Sequence, residues 1–296
     1  MKKINLKLFF LLSLLMVTGC QTKEPIKEKS LVEKAQNYYS NREWDKSIQE
    51  YTKLINSKTE PKYTFYFHRG IAFKQIKQLD NAVNDFKEAN KLDEEKQCLA
   101  ALEIAKIGLI QKKYLETYKF LSNITPPRKL ESKFALLNES ALNALININL
   151  KQGNYKAVLK YTNILLQKKS DNMVLLSLKL EALSKLIKSN EERTEFNTFI
   201  DSISKTLPKN SPMYKKILKH KAINFFYLKK AIDAKRVIDS YIELKENKLT
   251  KDDIFWAGLI NKVSLHPSES EEYWSYLNKG YIDNKLKEIK KTLSQQ

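Results

Sequence analysis

The sequence predicts an all-α protein, and three observations carry that reading. Residues that make tight turns are scarce, with 6 glycines and 7 prolines in 296 residues, a composition that suits long helices better than a sheet. From Leu31 onward the apolar residues recur at helical spacing in segments of about 12 to 18 residues, and no stretch alternates long enough to propose a strand. Finally, the pattern that starts at Ala35 returns at Gly70, 35 residues on.

The chain begins with Lys2, Lys3 and Lys7 around an apolar run, "LFFLLSLLMV" from Leu8 to Val17, with no acidic residue before Glu24. That is the charge pattern and length of an export signal, about half of the roughly 20 apolar residues needed to span a bilayer. Small residues follow, Thr18 and Gly19, and then Cys20. Val17 to Cys20 resembles the lipobox of bacterial lipoprotein precursors. The resemblance implies cleavage of residues 1–19, with diacylglycerol and a fatty acyl group placed covalently on Cys20 and no other cofactor. Several acyl chains would give stable attachment to a membrane. Cleavage would remove three lysines and lower the formal charge from +19 to +16. In such a chain Cys98 is left as the one thiol, so no internal disulfide forms, and it reads as a small apolar residue packed within "CLAALEIA".

Residues 20–27 are polar and read as the lipidated tether, followed by one helical domain over 28–296. Its internal similarity is specific in places. "AQNYYSNREWDKSIQEYTKLI" and "GIAFKQIKQLDNAVNDFKEAN" share small residues at Ala35 and Gly70 and again at Ser47 and Ala82, with aromatics at Tyr51 and Phe86. A further copy, "KQGNYKAVLKYTNIL", puts Gly153 and Tyr155 at a turn, with Ala157 matched to Ala82 and Tyr161 to Phe86 at the expense of one missing residue. This resembles the tetratricopeptide repeat, whose helix pairs recur about every 34 residues. The clearest copies are 28–61, 63–96 and 140–168. The resemblance implies a right-handed solenoid of roughly five to seven antiparallel helix pairs, because one pair cannot bury its own apolar face. Other segments fit less well. "AKIGLIQKKYLETYKFLSN" has Thr117 where the small residue belongs, the helices of 173–207 read as longer than the repeat expects, and 219–244 lacks a turn glycine. The polar C-terminal "NKLKEIKKTLSQQ" reads as a capping helix.

Catalytic constellations are missing from the sequence. His68, His220 and His266 stand far apart outside any metal-binding spacing, so no metal site is expected, and His68 reads as a surface residue. There is no nucleophile elbow and no glycine-rich phosphate loop. Asp252 with Asp253, and Glu271 with Glu272, read as charges at helix starts. The basic balance would suit nucleic acid, but export points instead to phospholipid, lipopolysaccharide or acidic protein segments.

In the repeat family the first helix of each pair lines a concave groove. Here that implies a binding site for an envelope protein or peptide at Gln36, Tyr39, Phe67, Lys74, Asn143, Asn147 and Lys151. Asn143, Asn147 and Lys151 fall at i, i+4 and i+8, one helix face carrying two amides and an ammonium. The carboxylate clamp of some family members is not expected, since Val32 and Gln36 stand at two of its positions. The resulting expectation is a non-catalytic adaptor, exported and lipid-anchored to the cell envelope. Gln21 in place of Asp favours the outer membrane, facing the periplasm, in a Gram-negative cell. A peptidoglycan-active hydrolase using surface carboxylates, and a surface-exposed lipoprotein contacting a host or neighbouring cell, are the competing readings.

Overall fold

The computed structural model describes residues 25–57, 62–93, 96–245 and 248–294. The export signal and Cys20 lie outside the described residues. Among the described residues there is no strand, and fifteen helices follow one another: α1 (Pro25–Ser40), α2 (Trp44–Asn56), α3 (Tyr63–Gln75), α4 (Leu79–Leu92), α5 (Gln97–Ile110), α6 (Tyr114–Ser122), α7 (Glu131–Lys151), α8 (Tyr155–Leu166), α9 (Met173–Leu186), α10 (Asn190–Ser204), α11 (Pro212–Tyr227), α12 (Ala231–Lys245), α13 (Lys251–Val263), α14 (Pro267–Ser275) and α15 (Lys279–Leu293). Helices adjacent in the chain pack together, among them α1 with α2, α3 with α4, α8 with α9, α11 with α12 and α13 with α14. Residues up to Ala141 and residues from Leu142 form two compact units, with α7 running through the boundary. The first helix starts at Pro25, ahead of the expected 28, in keeping with the tolerance of proline in a first helical turn.

Six of the connections between helices turn on a single residue in the left-handed region, and among the described residues one of these six is glycine. Arg42, Lys77, Lys112, Gly153, Lys229 and Leu265 have φ between 58° and 68°. Counting from these residues puts the repeats in register. Seven positions before the turn stand Ala35, Gly70, Ala105, Ile146, Ala222 and Gly258, all small except Ile146; five positions after it stand Ser47, Ala82, Thr117, Val158, Ala234 and Ser270. All of the second set are buried. These are the crossing points at which paired helices approach closely.

The register corrects several sequence readings. The α5–α6 pair is a regular copy at the 35-residue offset, because Gly108 supplies the room that Thr117 takes. A methyl group on Gly108 would run into the Thr117 hydroxyl. In the α7–α8 pair no residue is missing: Val158 and Thr162, both fully buried, hold the positions assigned to Ala157 and Tyr161. Lys229 makes the turn that lacked a glycine. Between 173 and 207 the helices are of ordinary length, since a capping box at Ser189 and Glu192 starts a new helix, satisfying otherwise orphaned N–H groups.

The core is a chain of local clusters. In the first unit Tyr51, Leu54 and Phe65 pack with Ala35, and Phe86, Ala89, Ala100 and Ile107 pack around Tyr63. Cys98 is buried with Ala101, Leu102 and Phe134, as its setting predicted. In the second unit Ala222, Ala234, Ile238 and Tyr241 form one cluster. Phe255, Trp256, Leu259 and Ile289 form the last, in which α15 covers α13.

Candidate functional site

The seven residues expected in a groove divide between the two units, Gln36, Tyr39, Phe67 and Lys74 in the first and Asn143, Asn147 and Lys151 in the second. Gln36 is exposed on α1. Tyr39 stacks on His68 with ring centroids 4.7 Å apart, and Phe67 sits between Tyr63 (5.2 Å) and Phe86 (5.5 Å). Tyr39 therefore packs between neighbouring pairs, and Phe67 within its own. Lys74 Nζ is held 2.5 Å from Glu103, which also takes Lys106 at 2.5 Å. His68 is not a surface residue. It hydrogen-bonds the Tyr51 hydroxyl at 3.0 Å, and burial pushes its pKa below the usual imidazole range. Asn143, Asn147 and Lys151 do form an exposed row on α7, in the second unit.

A concavity of the second unit lies elsewhere. Helices α9, α11, α13 and α15, with the last turn of α12, line a cavity of about 780 Å³. Its wall carries seven lysines, at 185, 215, 216, 219, 245, 248 and 285, against three carboxylates, Glu181, Asp252 and Glu288. Ile223, Tyr227, Trp256 and Ile289 supply an apolar floor. The floor is rigid: Trp256 makes edge contacts with Phe226 (5.6 Å) and Phe255 (5.7 Å), and the Arg193 guanidinium lies 4.1 Å from the Tyr227 ring centroid. Such an aromatic–cation stack is attractive through the ring quadrupole.

The charges divide into two groups. Lys219 bridges Asp253 (2.6 Å) and Asp252 (2.8 Å), and Lys285 reaches Asp252 at 3.0 Å. Asp253 is almost wholly buried. Burial alone would raise its pKa, but hydrogen bonds from Lys219, the Thr250 backbone and the Tyr241 hydroxyl prevail and hold it at about 2. Lys216 binds Ser177 (2.9 Å) and Glu181 (3.2 Å). The second group, Lys185, Lys215 and Lys248, makes no side-chain hydrogen bond or ion pair among the described residues. His220 lies among these lysines. Burial, then the nearby positive charges of Lys216, Lys219 and Lys185, push its pKa down to about 4, so the ring is neutral at neutral pH.

The cavity thus offers three uncommitted cations above an apolar, aromatic base, which is chemistry for binding an anionic group with an apolar neighbour. The first unit is different, because its corresponding charges are consumed internally: Arg69 holds Asp85 through two hydrogen bonds of 2.8 and 2.7 Å, and Lys74 holds Glu103. Among the described residues no group of three or more His, Cys, Asp or Glu could hold a metal ion. No helix among them is long and apolar enough to cross a membrane.

A signal for this site exists in the sequence. Asn143, Asn147 and Lys151 stand ten, six and two residues before the turn at Gly153, as Phe67, Ile71 and Gln75 stand before Lys77. The same count back from Lys229 selects Lys219, Ile223 and Tyr227, all of which line the cavity. Recognising it requires knowing that a lysine makes the turn.

No protein-family model and no curated protein matches the chain. Solved structures with a similar succession of helices include the TPR2AB domain of yeast Sti1 in its pHSP90 complex, at 13% identity over 82% of this chain and 98% of that one, with a TM-score of 0.36. The C-terminal part of a TPR repeat-containing protein from Cytophaga hutchinsonii is 15% identical over 84% and 97%, with a TM-score of 0.43. A tetratricopeptide repeat protein from Parabacteroides merdae is 13% identical over 90% and 98%, with a TM-score of 0.35. The fold assignment rests on this chain's own register of turns and crossing points.

Proposed function

We propose that this chain is a non-catalytic scaffold that binds an acidic segment of another envelope protein in the lysine-lined cavity of its second unit, while a lipid on Cys20 holds it at a membrane. The observation that carries the reading is the set of uncommitted lysines, Lys185, Lys215 and Lys248, over the floor of Tyr227 and Trp256. Opposite charges speed encounter and exclude wrong partners, while the aromatic floor supplies affinity through buried area. The lipobox at Val17–Cys20 and Gln21 supports placement on the outer membrane, facing the periplasm, in a Gram-negative cell. Charge asymmetry supports the location of the site: residues 142–296 hold 28 Lys and Arg against 17 Asp and Glu, whereas residues 20–141 hold 22 against 17.

The test is photo-crosslinking in living cells from residue 215, with residue 143 on α7 as a comparison, followed by binding assays with each captured protein. A defined partner captured from 215, whose binding falls at least tenfold when Lys185, Lys215 and Lys248 are all changed to Glu, supports the reading. Capture only from 143 moves binding to the amide row of α7. Purified protein that cleaves cell-wall polymer would replace the scaffold with an enzyme.

A further inference from the structure

A second concavity in the same unit has the opposite character. It opens at the edge where pairs are joined, between the first turn of α9 and the first turn of α11, and has a volume of about 500 Å³. Met173, Val174, Leu178, Leu207, Pro208 and Met213 line it. Val174 is 69% exposed and Met173 42% exposed, so apolar surface stands open to water there. Isolated exposed apolar residues are ordinary, but a lined apolar cleft of this size falls in the range of ligand sites, about 300 to 1,000 Å³.

The surroundings define what could cover it. The connections on either side, 167–172 and 205–211, carry exposed Lys168, Lys205 and Lys209, with Asp171 as their acidic residue. Lys216 forms part of the wall, its ammonium held on Ser177 and Glu181. Met173 and Met213 are the only methionines beyond residue 16, and both lie here. Methionine side chains are unbranched and adapt to a flexible apolar guest. A protein partner held here would need about 800 Å² of its own surface for a stable complex, far more than the first turns of two helices present. A single extended hydrocarbon chain needs only the cleft, and a negative head group would meet the lysines.

We infer that the cleft between α9 and α11 binds the acyl chain of an anionic amphiphile, with its head group among the lysines of the two flanking connections. The cleft shares Pro212 and Lys216 with the lysine-lined cavity, but its apolar lining of Met173, Val174, Leu178, Leu207, Pro208 and Met213 is its own. A free fatty acid and an anionic single-chain phospholipid share the required chemistry.

The test is a titration of the full chain carrying ¹³C-methyl methionine, with signals assigned through single Met→Leu variants. The probes, kept below micelle formation, are palmitate, palmitoyl lysophosphatidate and zwitterionic palmitoyl lysophosphatidylcholine. The expected result is a saturable shift of the Met173 and Met213 methyl signals with at least one anionic probe, at least tenfold tighter than with the zwitterion. Saturation by palmitate assigns a fatty acid, and saturation by lysophosphatidate alone assigns a phospholipid. Val174→Glu, a change at an exposed position that leaves the fold intact by circular dichroism, should weaken binding at least tenfold. Unshifted methionine signals, equal binding of the zwitterion, or shifts that Val174→Glu leaves unchanged would each overturn the inference.

Discussion

Changing Gly258 to alanine should destabilise the second unit, although alanine is the better helix former. Gly258 lies in the middle of α13 at the crossing point with α14, and an added methyl group would overlap the indole of Trp274 at Nε1 and Cδ1. That indole cannot simply step aside. It stacks on Phe255, with centroids 6.2 Å apart and planes 14° apart, donates from Nε1 to the Phe255 carbonyl at 3.3 Å, and is covered by Lys262 at 5.0 Å. Overpacking a core costs about 1 to 3 kcal/mol. Loss of the indole hydrogen bond adds about 1 kcal/mol, and the gain in helix propensity returns about 1 kcal/mol. The net expectation is a loss of about 1 to 3 kcal/mol. Gly280, in the first turn of α15, is the internal control: its added methyl group would meet only Asn278 Oδ1 at 3.7 Å. Gly280→Ala should therefore be neutral or stabilising by up to about 1 kcal/mol. The assay is urea unfolding followed by tryptophan fluorescence, in which Trp256 and Trp274 report on the second unit and Trp44 on the first. A Gly258→Ala protein as stable as the wild type would refute the idea that close approach at this crossing holds the pair together.

Acid should weaken the second unit through His220. Its pKa of about 4 in the folded chain lies below the unfolded value of 6.5, so the unfolded state binds more protons between the two. Stability is then full above about pH 6.5 and declines toward pH 4, by at most about 3 kcal/mol. His220→Gln should remove that slope in pH-dependent urea melts, and a slope that persists would assign it elsewhere; Asp253, at about 2, titrates below the window. The turns make a third prediction. Leu265 is 88% exposed and takes φ 63°, a conformation that costs a residue with a side chain about 1 to 2 kcal/mol. After the added freedom of the unfolded chain is deducted, Leu265→Gly should stabilise by roughly 0.5 to 1 kcal/mol, while Gly153→Ala at φ 68° should lose about 1 kcal/mol. Thermal melts giving the opposite order would contradict the assignment of these turns.

What the sequence made legible, and what it hid, follows from where each signal resides. Helical periodicity and the recurrence of small residues are local, so the all-α class and the first two copies could be read directly from Ala35, Gly70, Ser47 and Ala82. The turns were hidden because the expected marker, glycine, occurs at only one of the six left-handed positions. Exposed turns tolerate Arg42, Lys77, Lys112 and Lys229 there, at a modest cost that core packing offsets. The α7–α8 copy, whose Gly153 turn was visible, was shifted by one residue because Val158 stands where a small residue was expected, and the α5–α6 copy was obscured because Gly108 and Thr117 exchange the usual roles of small and larger residue. The lysine-lined cavity was hidden for a related reason, since the turn from which its α11 residues are counted is made by Lys229. Asn143, Asn147 and Lys151 form an exposed row on their own helix, whereas two of the positions selected in the first unit are taken up by packing and an ion pair: Phe67 against Phe86, Lys74 against Glu103. Pattern alone cannot distinguish a lysine paired across helices from one left uncommitted, because the partner is about 30 residues away in the chain. Lys219 and Lys215, four residues apart on α11, look equivalent in the sequence; in the fold, Lys219 is bound by Asp252 and Asp253, while Lys215 lines the cavity with no ion pair among the described residues.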